Sequence, residues 1–332
     1  MAPSGTLIFI GANGSSGIPA SEHLLKTYPQ YTAVLTVRDA TDADANTRTL
    51  RETISRYPKA KATIHQVDLS KLSSAHAFAS NISSQIKAGE LPPIKAIICS
   101  AYCWNLVSDP EFTEDGYEKT FQVSHLSHVA IVLRLLDCFA PDGGRVEMIS
   151  SEAHYRRKQV LSPYITDVPV DMDRLIHPLP DPNKQGHGFI RYATVKLVNT
   201  VWAYALNRHL QKDPRFRNIT AVAMNPGTIG DARVFQTNTP SNIQYVQRYL
   251  VQPLLPIISR LNLQVRTAKQ VGADMIELAV SDKYAGDRCY FTQLNKDEPD
   301  PIVLDEAVQE RLWLKSAEWC NITAENCALK LD

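Results

Sequence analysis

From residue 6 to about residue 225 short apolar runs alternate with amphipathic stretches of helical period, and that rhythm leaves few folds open. The runs are Leu7–Ile10, Thr32–Val37, Ala62–Val67, Ile94–Cys99, Arg145–Ile149 and Ile219–Met224. Between them, Ser16–Lys26 carries Ile18, Leu24 and Leu25, and Glu111–Cys138 repeats Phe121, Val123, Leu126, Val129, Val132, Leu133 and Leu136. Arg191–Leu210 repeats Val195, Leu197, Val198, Val201, Trp202, Ala205 and Leu206. Strands linked by crossover helices predict an α/β fold: a single doubly wound domain over 1–332 with a parallel sheet of about seven strands. The last strand is expected at Cys289–Thr292, and a short helix at Asp305–Trp319.

Three segments break the rhythm. Residues 155–186 hold five prolines and read as a long insert between strand and helix. Residues 229–266 read as a substrate loop in which the apolar stretch Tyr249–Leu261 is interrupted by prolines. Residues 293–332 form a C-terminal tail. Long loops after the carboxyl ends of strands are where open α/β sheets bind ligands. In that place Tyr249–Leu261 reads as the roof of an apolar pocket rather than a membrane-surface element.

Charge narrows the partners. With 35 basic and 35 acidic side chains the formal charge is zero, without the electrostatic footprint of a protein that lives on nucleic acid or anionic membranes. The six cysteines are too few for a disulfide scaffold and read as reduced thiols of a cytoplasmic protein. The opening MAPSGTLIFIGANG reads as a first strand, not a secretion signal, and no apolar run is long enough to span a bilayer.

Two motifs carry chemistry. Gly11-Ala-Asn13-Gly14-Ser15-Ser16-Gly17 follows the first strand and opens a helix; such a turn lets backbone N–H groups approach a pyrophosphate, although tight turns need glycine in any case. Tyr192 and Lys196 lie four apart on a helical stretch and so share a face. An ammonium beside a phenol lowers its pKa toward the range of general acid–base work, whereas a surface Tyr–Lys pair does nothing.

Together with Ser150-Ser151 at the end of the fifth strand, these motifs resemble the short-chain dehydrogenase/reductase family, whose members are Rossmann domains with an Asn-Ser-Tyr-Lys catalytic group. The likeness runs through residues 5–230 and more weakly to about 320. Thr36-Val-Arg38-Asp39, Asp115-Gly-Tyr-Glu118, Ser150-Ser-Glu-Ala-His154 and Arg311-Leu-Trp313 resemble its retinol-dehydrogenase-like and fungal carbonyl-reductase branch. The resemblance implies Ser151, Tyr192 and Lys196 as catalytic residues, with Ser124 where the family has asparagine. For the cofactor it implies Gly11, Asn13, Ser15, Ser16 and Gly17 at the turn, Asp68 and Leu69 beside the adenine, and Ser100 and Ala101 after the fourth strand. Tyr192, Lys196, Pro226, Gly227 and Thr228 are implied at the nicotinamide end.

Three departures stand out: Ser15 replaces the middle glycine of the turn, Tyr102 replaces a glycine of the Asn-Asn-Ala-Gly stretch, and Ser124 replaces the asparagine that holds a relay water. Arg38, just past strand two, suits a 2′-phosphate and points to NADP(H) over NAD(H), with Asp39 beside it as the counter-argument. No metal is expected, because His125 and His128 have no third ligand at suitable spacing. Arg156, Arg157 and Lys158 read as a solvated loop.

The expected function is NADPH-dependent reduction of a ketone or aldehyde on a hydrophobic, polycyclic or secondary-metabolite molecule. The alternatives are a redox-neutral biosynthetic enzyme (isomerisation, dehydration or cyclisation) and an NADP(H)-binding regulatory protein. The resemblance also implies homodimers, paired through the helices at Glu111–Cys138 and Arg191–Leu210.

Overall fold

Alternation along each apolar run sends successive side chains to opposite faces of a sheet, so a run apolar at every position must be covered on both. That is what the structure, a computed structural model describing residues 4–261 and 264–330, contains. Strands β1 (Gly5–Ile10), β2 (Tyr31–Val37), β3 (Lys61–Gln66), β4 (Ile94–Cys99), β5 (Gly144–Ile149), β6 (Ile219–Asn225), β7 (Tyr290–Thr292) and β8 (Asn295–Asp297) form one sheet. Its order is β8-β7-β6-β5-β4-β1-β2-β3, parallel throughout except for the β7–β8 edge. This is a doubly wound α/β fold with an eighth, antiparallel strand beyond the expected seven.

On β1, Leu7 and Phe9 join one core layer with Ala20 and Leu24 of helix α1 (Gly17–Thr27), Leu50 of α2 (Ala45–Ser55) and, further along the chain, Val271 and Met275. Ile8 and Ile10 face the other layer, against α3 (Leu72–Lys87), α4 (Ser127–Arg134) and α5 (Lys184–Lys212). Helix α6 (Ala268–Val280) holds the Val271 and Met275 of the first layer, and α7 (Glu306–Trp319) completes the second. The chain reverses its winding between β1 and β4, and the cleft opens there at the strands' carboxyl ends.

Several boundaries differ from expectation. Helix α5 starts seven residues before Arg191, capped by Asn183, whose side chain accepts from the Gly186 N–H at 2.9 Å. Gly186 and Gly188 weaken the helical signal of this first turn, but Gly188 is sterically required, since a Cβ there would lie 2.1 Å from the Asn105 carbonyl. The insert before it contains a hairpin, Lys158–Gln159 with Ser162–Ile165, and a helical turn, Asp173–Ile176. The stretch Glu111–Cys138 becomes helical only at Lys119 and carries a π-helical segment, Gln122–Leu126, before α4.

The segment 241–261 is helical throughout, with a π-helical stretch at Gln247–Val251 and Pro256 inside its last part. Nor is it a roof with its apolar face inward. Gln247 and Leu255 are buried while Tyr245, Tyr249, Leu250, Leu254, Ile257 and Leu261 are exposed. None of the described helices is long and apolar enough to cross a membrane.

The helix faces through which the resemblance implies pairing are covered by the chain itself. Helix α7 lies across α5, where Trp313 stacks on His209 at 4.2 Å between ring centroids. His125 bridges Asn199 of α5 and Ser316 of α7, at 2.9 Å each. This histidine is a packing residue, and burial pushes its pKa down to about 4.

One buried group works against stability. Glu147 on β5 is wholly buried, both carboxylate oxygens lack a hydrogen-bond partner, and burial raises its pKa well above the usual range. A carboxyl raised on folding contributes stability that is complete below its unfolded pKa and lost as pH rises through the folded one. Glu147→Gln, which mimics the protonated form, is therefore expected to raise neutral-pH stability by roughly 1–3 kcal/mol. The gain should vanish as pH falls toward about 4.5. Thermal melts of both proteins across that range check it; no gain at neutral pH would contradict the burial argument.

Candidate active site

The floor of the cleft is set by how closely β1 and β4 approach past their ends. Gly11 has φ +91°, and a Cβ on it would lie 2.9 Å from that of Ala101. The N–H groups of Ser100 and Ala101 both donate to the Ile10 carbonyl, at 3.2 and 3.0 Å. A Cβ on Gly17 would sit 2.6 Å from the carbonyl oxygens of Gly11 and Ala12. The turn is thus wound tightly against the start of α1, whose first N–H groups carry no side-chain cap. An uncapped helix N-terminus behind a tight turn fits a phosphate group. Asn13 is held by Asp44 and Thr47, and Ser15 tolerates its side chain by accepting from the Arg233 N–H at 2.9 Å.

Arg233 escaped the sequence reading. Its guanidinium donates to the Asn13 carbonyl and to Asn46, which brings positive charge to the glycine turn from the far side of the cleft. It lies in a segment without periodicity, and no spacing signal marks it. Around the rim, Arg38 is exposed at the end of β2, and Asp39 accepts from the Thr41 N–H at 2.8 Å. Asp68 is tied to Ser70 by two hydrogen bonds, and the Leu69 carbonyl accepts from Ser127 at 2.7 Å.

Helix α5 presents Tyr192 and Lys196 at the other half of the cleft, one turn apart. Ser151 follows β5, where its hydroxyl accepts from the Ala153 N–H at 3.2 Å and lies near enough to the Tyr192 phenol to lower its pKa. His154, buried and pushed down to about 4, fixes this strand end by its contact with the Ser151 carbonyl at 2.8 Å. The Lys196 ammonium donates to the Ile149 carbonyl at 2.8 Å, and burial pushes its pKa down to about 7. Burial holds the Tyr192 phenol above its ordinary value, and Ser151 draws it back.

Tyr102 explains why the lysine does not do more. Its ring lies 4.7 Å from Lys196 Nζ, nearer than the Tyr192 ring at 5.7 Å, and 5.7 Å from the Tyr192 ring. The expected coupling of ammonium and phenol is therefore weak in this arrangement. Ser124, in the π-helical segment, is also engaged: its Oγ accepts from the Cys103 N–H at 3.3 Å and its carbonyl from Asn199 at 3.1 Å.

On the far wall Gly227 has φ +81°, with a Cβ there only 2.7 Å from the Gln264 carbonyl; Pro226 is buried and Thr228 exposed. Trp104 stacks edge-on to Tyr192 at 5.5 Å and to Phe235 at 5.3 Å; with Leu106, Ala153 and Phe189 it makes an apolar wall. The basic cluster of Arg156, Arg157 and Lys158 is exposed, as expected of a solvated loop, and two of its charges are paired. Arg156 pairs with Asp300 at 2.9 Å, and Arg157 with Glu152.

In sum, a phosphate cradle with an arginine at each flank lies beside a Ser–Tyr–Lys set backed by aromatic rings. The cradle fits a dinucleotide phosphate, and in the second half the Tyr102 ring rests beside Lys196.

Comparison with known proteins agrees in kind. Residues 233–329 match the AcuH dehydrogenase domain. The chain is 26% identical over 377 aligned positions to the short-chain dehydrogenase iccH of Talaromyces variabilis, covering 99% of each. It is 37% identical over 92 residues to the dehydrogenase acuH of Aspergillus aculeatus, covering 28% of this chain and 94% of that protein. Among solved structures it is similar to an NADPH-bound carbonyl reductase from chicken fatty liver: TM-score 0.56, 15% identity, 90% of this chain and 100% of the other.

Proposed function

Because this chain belongs to the short-chain dehydrogenase/reductase family of oxidoreductases, we propose that it is an NADPH-dependent reductase of a ketone or aldehyde on a hydrophobic small molecule. The observation that carries the reading is Tyr192 and Lys196 one turn apart on α5, with Ser151 at the end of β5 close enough to draw the phenol's pKa down. Gly11, Asn13, Ser15, Ser16 and Gly17 would hold the pyrophosphate, with Asp68, Leu69, Ser100 and Ala101 along the adenosine side. Arg38 would meet a 2′-phosphate. Pro226, Gly227 and Thr228 would wall the nicotinamide end. Bound NADPH supplies the hydride.

The chain's own residues handle the oxygen and its proton. Ser151 donates to the carbonyl and orients it; Tyr192, protonated at neutral pH because burial keeps its pKa high, delivers the proton. Two donors aimed at the developing oxyanion contribute several kcal/mol, on the order of an oxyanion hole. Lys196 stabilises the tyrosinate that remains and orients the cofactor ribose, and Ser124 holds the relay water. Trp104, Phe189 and Phe235 favour an apolar substrate body.

The test is NADPH titration followed by its absorbance decay with a panel of lipophilic ketones and aldehydes. Saturable binding and substrate-dependent oxidation support the reading; no NADPH binding ends it. Tyr102 favours a second reading, redox-neutral chemistry on a retained cofactor site, which would give product with no change in NADPH absorbance.

Tyr102 also has a direct consequence for affinity. If binding requires its ring to leave the lysine, apparent affinity is reduced by the fraction of molecules in the open rotamer. Tyr102→Ala is expected to tighten NADPH binding roughly tenfold, measured by fluorescence titration. An unchanged dissociation constant would show that the ring is no obstacle.

A further inference from the structure

The 241–261 helix is amphipathic in the wrong sense for a core element. Its inner face buries Gln247 and Leu255. Gln247 donates to the Gly230 carbonyl and Gln244 to that of Thr239 at 2.7 Å, and these glutamines, with Gln236, Gln252, Phe235 and Arg248, line a cavity of about 430 Å³. Its outer face is apolar: Tyr249, Leu250, Leu254, Ile257 and Leu261 are between 46% and 83% exposed. A contiguous apolar stripe of this kind on a helix marks an interaction surface.

Charge selects the occupant. No acidic residue occurs from 232 to 273, while Arg233, Arg248, Arg260, Arg266 and Lys269 fall in that span, in a chain otherwise balanced. Arg266 is paired with Asp274; Arg248 and Arg260 are exposed along the helix. Arg248 stacks on Tyr249 at 5.6 Å, and Tyr245 packs on Tyr249 at 4.7 Å.

A second copy is a poor occupant: antiparallel two-fold packing about Leu254 would set Arg248 of one helix against Arg260 of the other, with no carboxylate in the segment to relieve them. An anionic bilayer surface matches every feature, namely an apolar face, flanking arginines and tyrosines at the boundary. At 1.5 Å per residue the segment is roughly 30 Å long, and its inward glutamines suit it to lie in the interface plane rather than to span.

We propose that the 241–261 helix docks on the surface of an anionic phospholipid bilayer, apolar face down. Phe235, which precedes it, packs on Trp104 and through it on Tyr192, so docking would open the apolar wall of the cleft toward the lipid. Membrane docking stands whether or not the reductase reading does, because it is measured without turnover.

The experiment is vesicle co-sedimentation of the full chain with phosphatidylcholine alone and with about a third phosphatidylserine. Binding to the anionic vesicles is expected to be at least about tenfold stronger and to weaken with salt. The double variant Leu254→Asp/Ile257→Asp, at exposed positions, should lose that binding about tenfold or more with its melting temperature and NADPH affinity unchanged. Absence of binding to either vesicle, equal binding to both, or a dimer in sedimentation equilibrium that the double variant dissolves would each overturn the proposal.

Discussion

Tyr192→Phe is expected to lose turnover by about a thousandfold or more while keeping NADPH affinity within about threefold. The ring remains packed between Tyr102, Trp104 and Phe189, so the apolar wall survives and only the hydroxyl beside Ser151 is gone. Positioned general acids contribute typically about 10²–10⁴ in rate, and no other hydroxyl but that of Ser151 faces the carbonyl in this account. Parallel loss of kcat and kcat/KM would mark an interaction made in the transition state. The pH profile adds a second reading. Burial holds the phenol above its ordinary value while Lys196 is pushed down to about 7, so reduction by the parent protein should fall as pH rises above neutrality and the ammonium that stabilises the tyrosinate loses its proton. Normal turnover in the Phe variant would remove this tyrosine from the chemistry.

Arg38→Glu is expected to weaken NADPH binding by about 100-fold and to leave NADH binding unchanged or improved, inverting the preference. The loss corresponds to roughly 2–3 kcal/mol, the scale of a charge-assisted bidentate contact. Asp39 makes no ion pair with Arg38 among the described residues; its carboxylate accepts from the Thr41 N–H. Placing a second carboxylate at position 38 would repel a 2′-phosphate and offer the ribose hydroxyls of NADH an acceptor. Paired titrations with both nucleotides decide it. Equal loss for both would mean that the change harmed the cradle rather than the phosphate contact; no loss for NADPH would return the discrimination to Arg233 or elsewhere.

The sheet was readable because most core strands are short, mainly apolar runs separated by helical periodicity, a pattern that survives exceptions such as Arg145 and Glu147 on β5. β4 begins and ends where the sequence puts it. The antiparallel edge β8 was not readable, since Asn295–Asp297 is exposed and polar and owes its place to pairing with β7 and to the Lys296–Asp287 ion pair. The start of α5 was hidden by Gly186 and Gly188, which helix propensity disfavours, although the approach of Asn105 requires Gly188.

At the site, the turn, Ser151, Tyr192 and Lys196 were legible as a pattern, and the structure brings them to one cleft. Sequence could mark Tyr102 as a departure, but not that its ring would rest on the lysine. Arg233 had no local signal at all. The 241–261 helix shows the limit most plainly: periodicity defines two faces, but which one turns inward depends on what the rest of the chain offers it. Here the partners are carbonyl groups of Gly230 and Thr239, so the glutamines went in.

The central claim is that hydride passes from NADPH to a carbonyl carbon held by Ser151 and Tyr192. Its most direct test is a single-turnover reaction with stereospecifically C4-deuterated NADPH and a lipophilic ketone, followed by mass spectrometry and NMR of the product. The account predicts deuterium on the new carbinol carbon in step with NADP+ formed. Product lacking the label, with the deuterium still on NADPH, would contradict it.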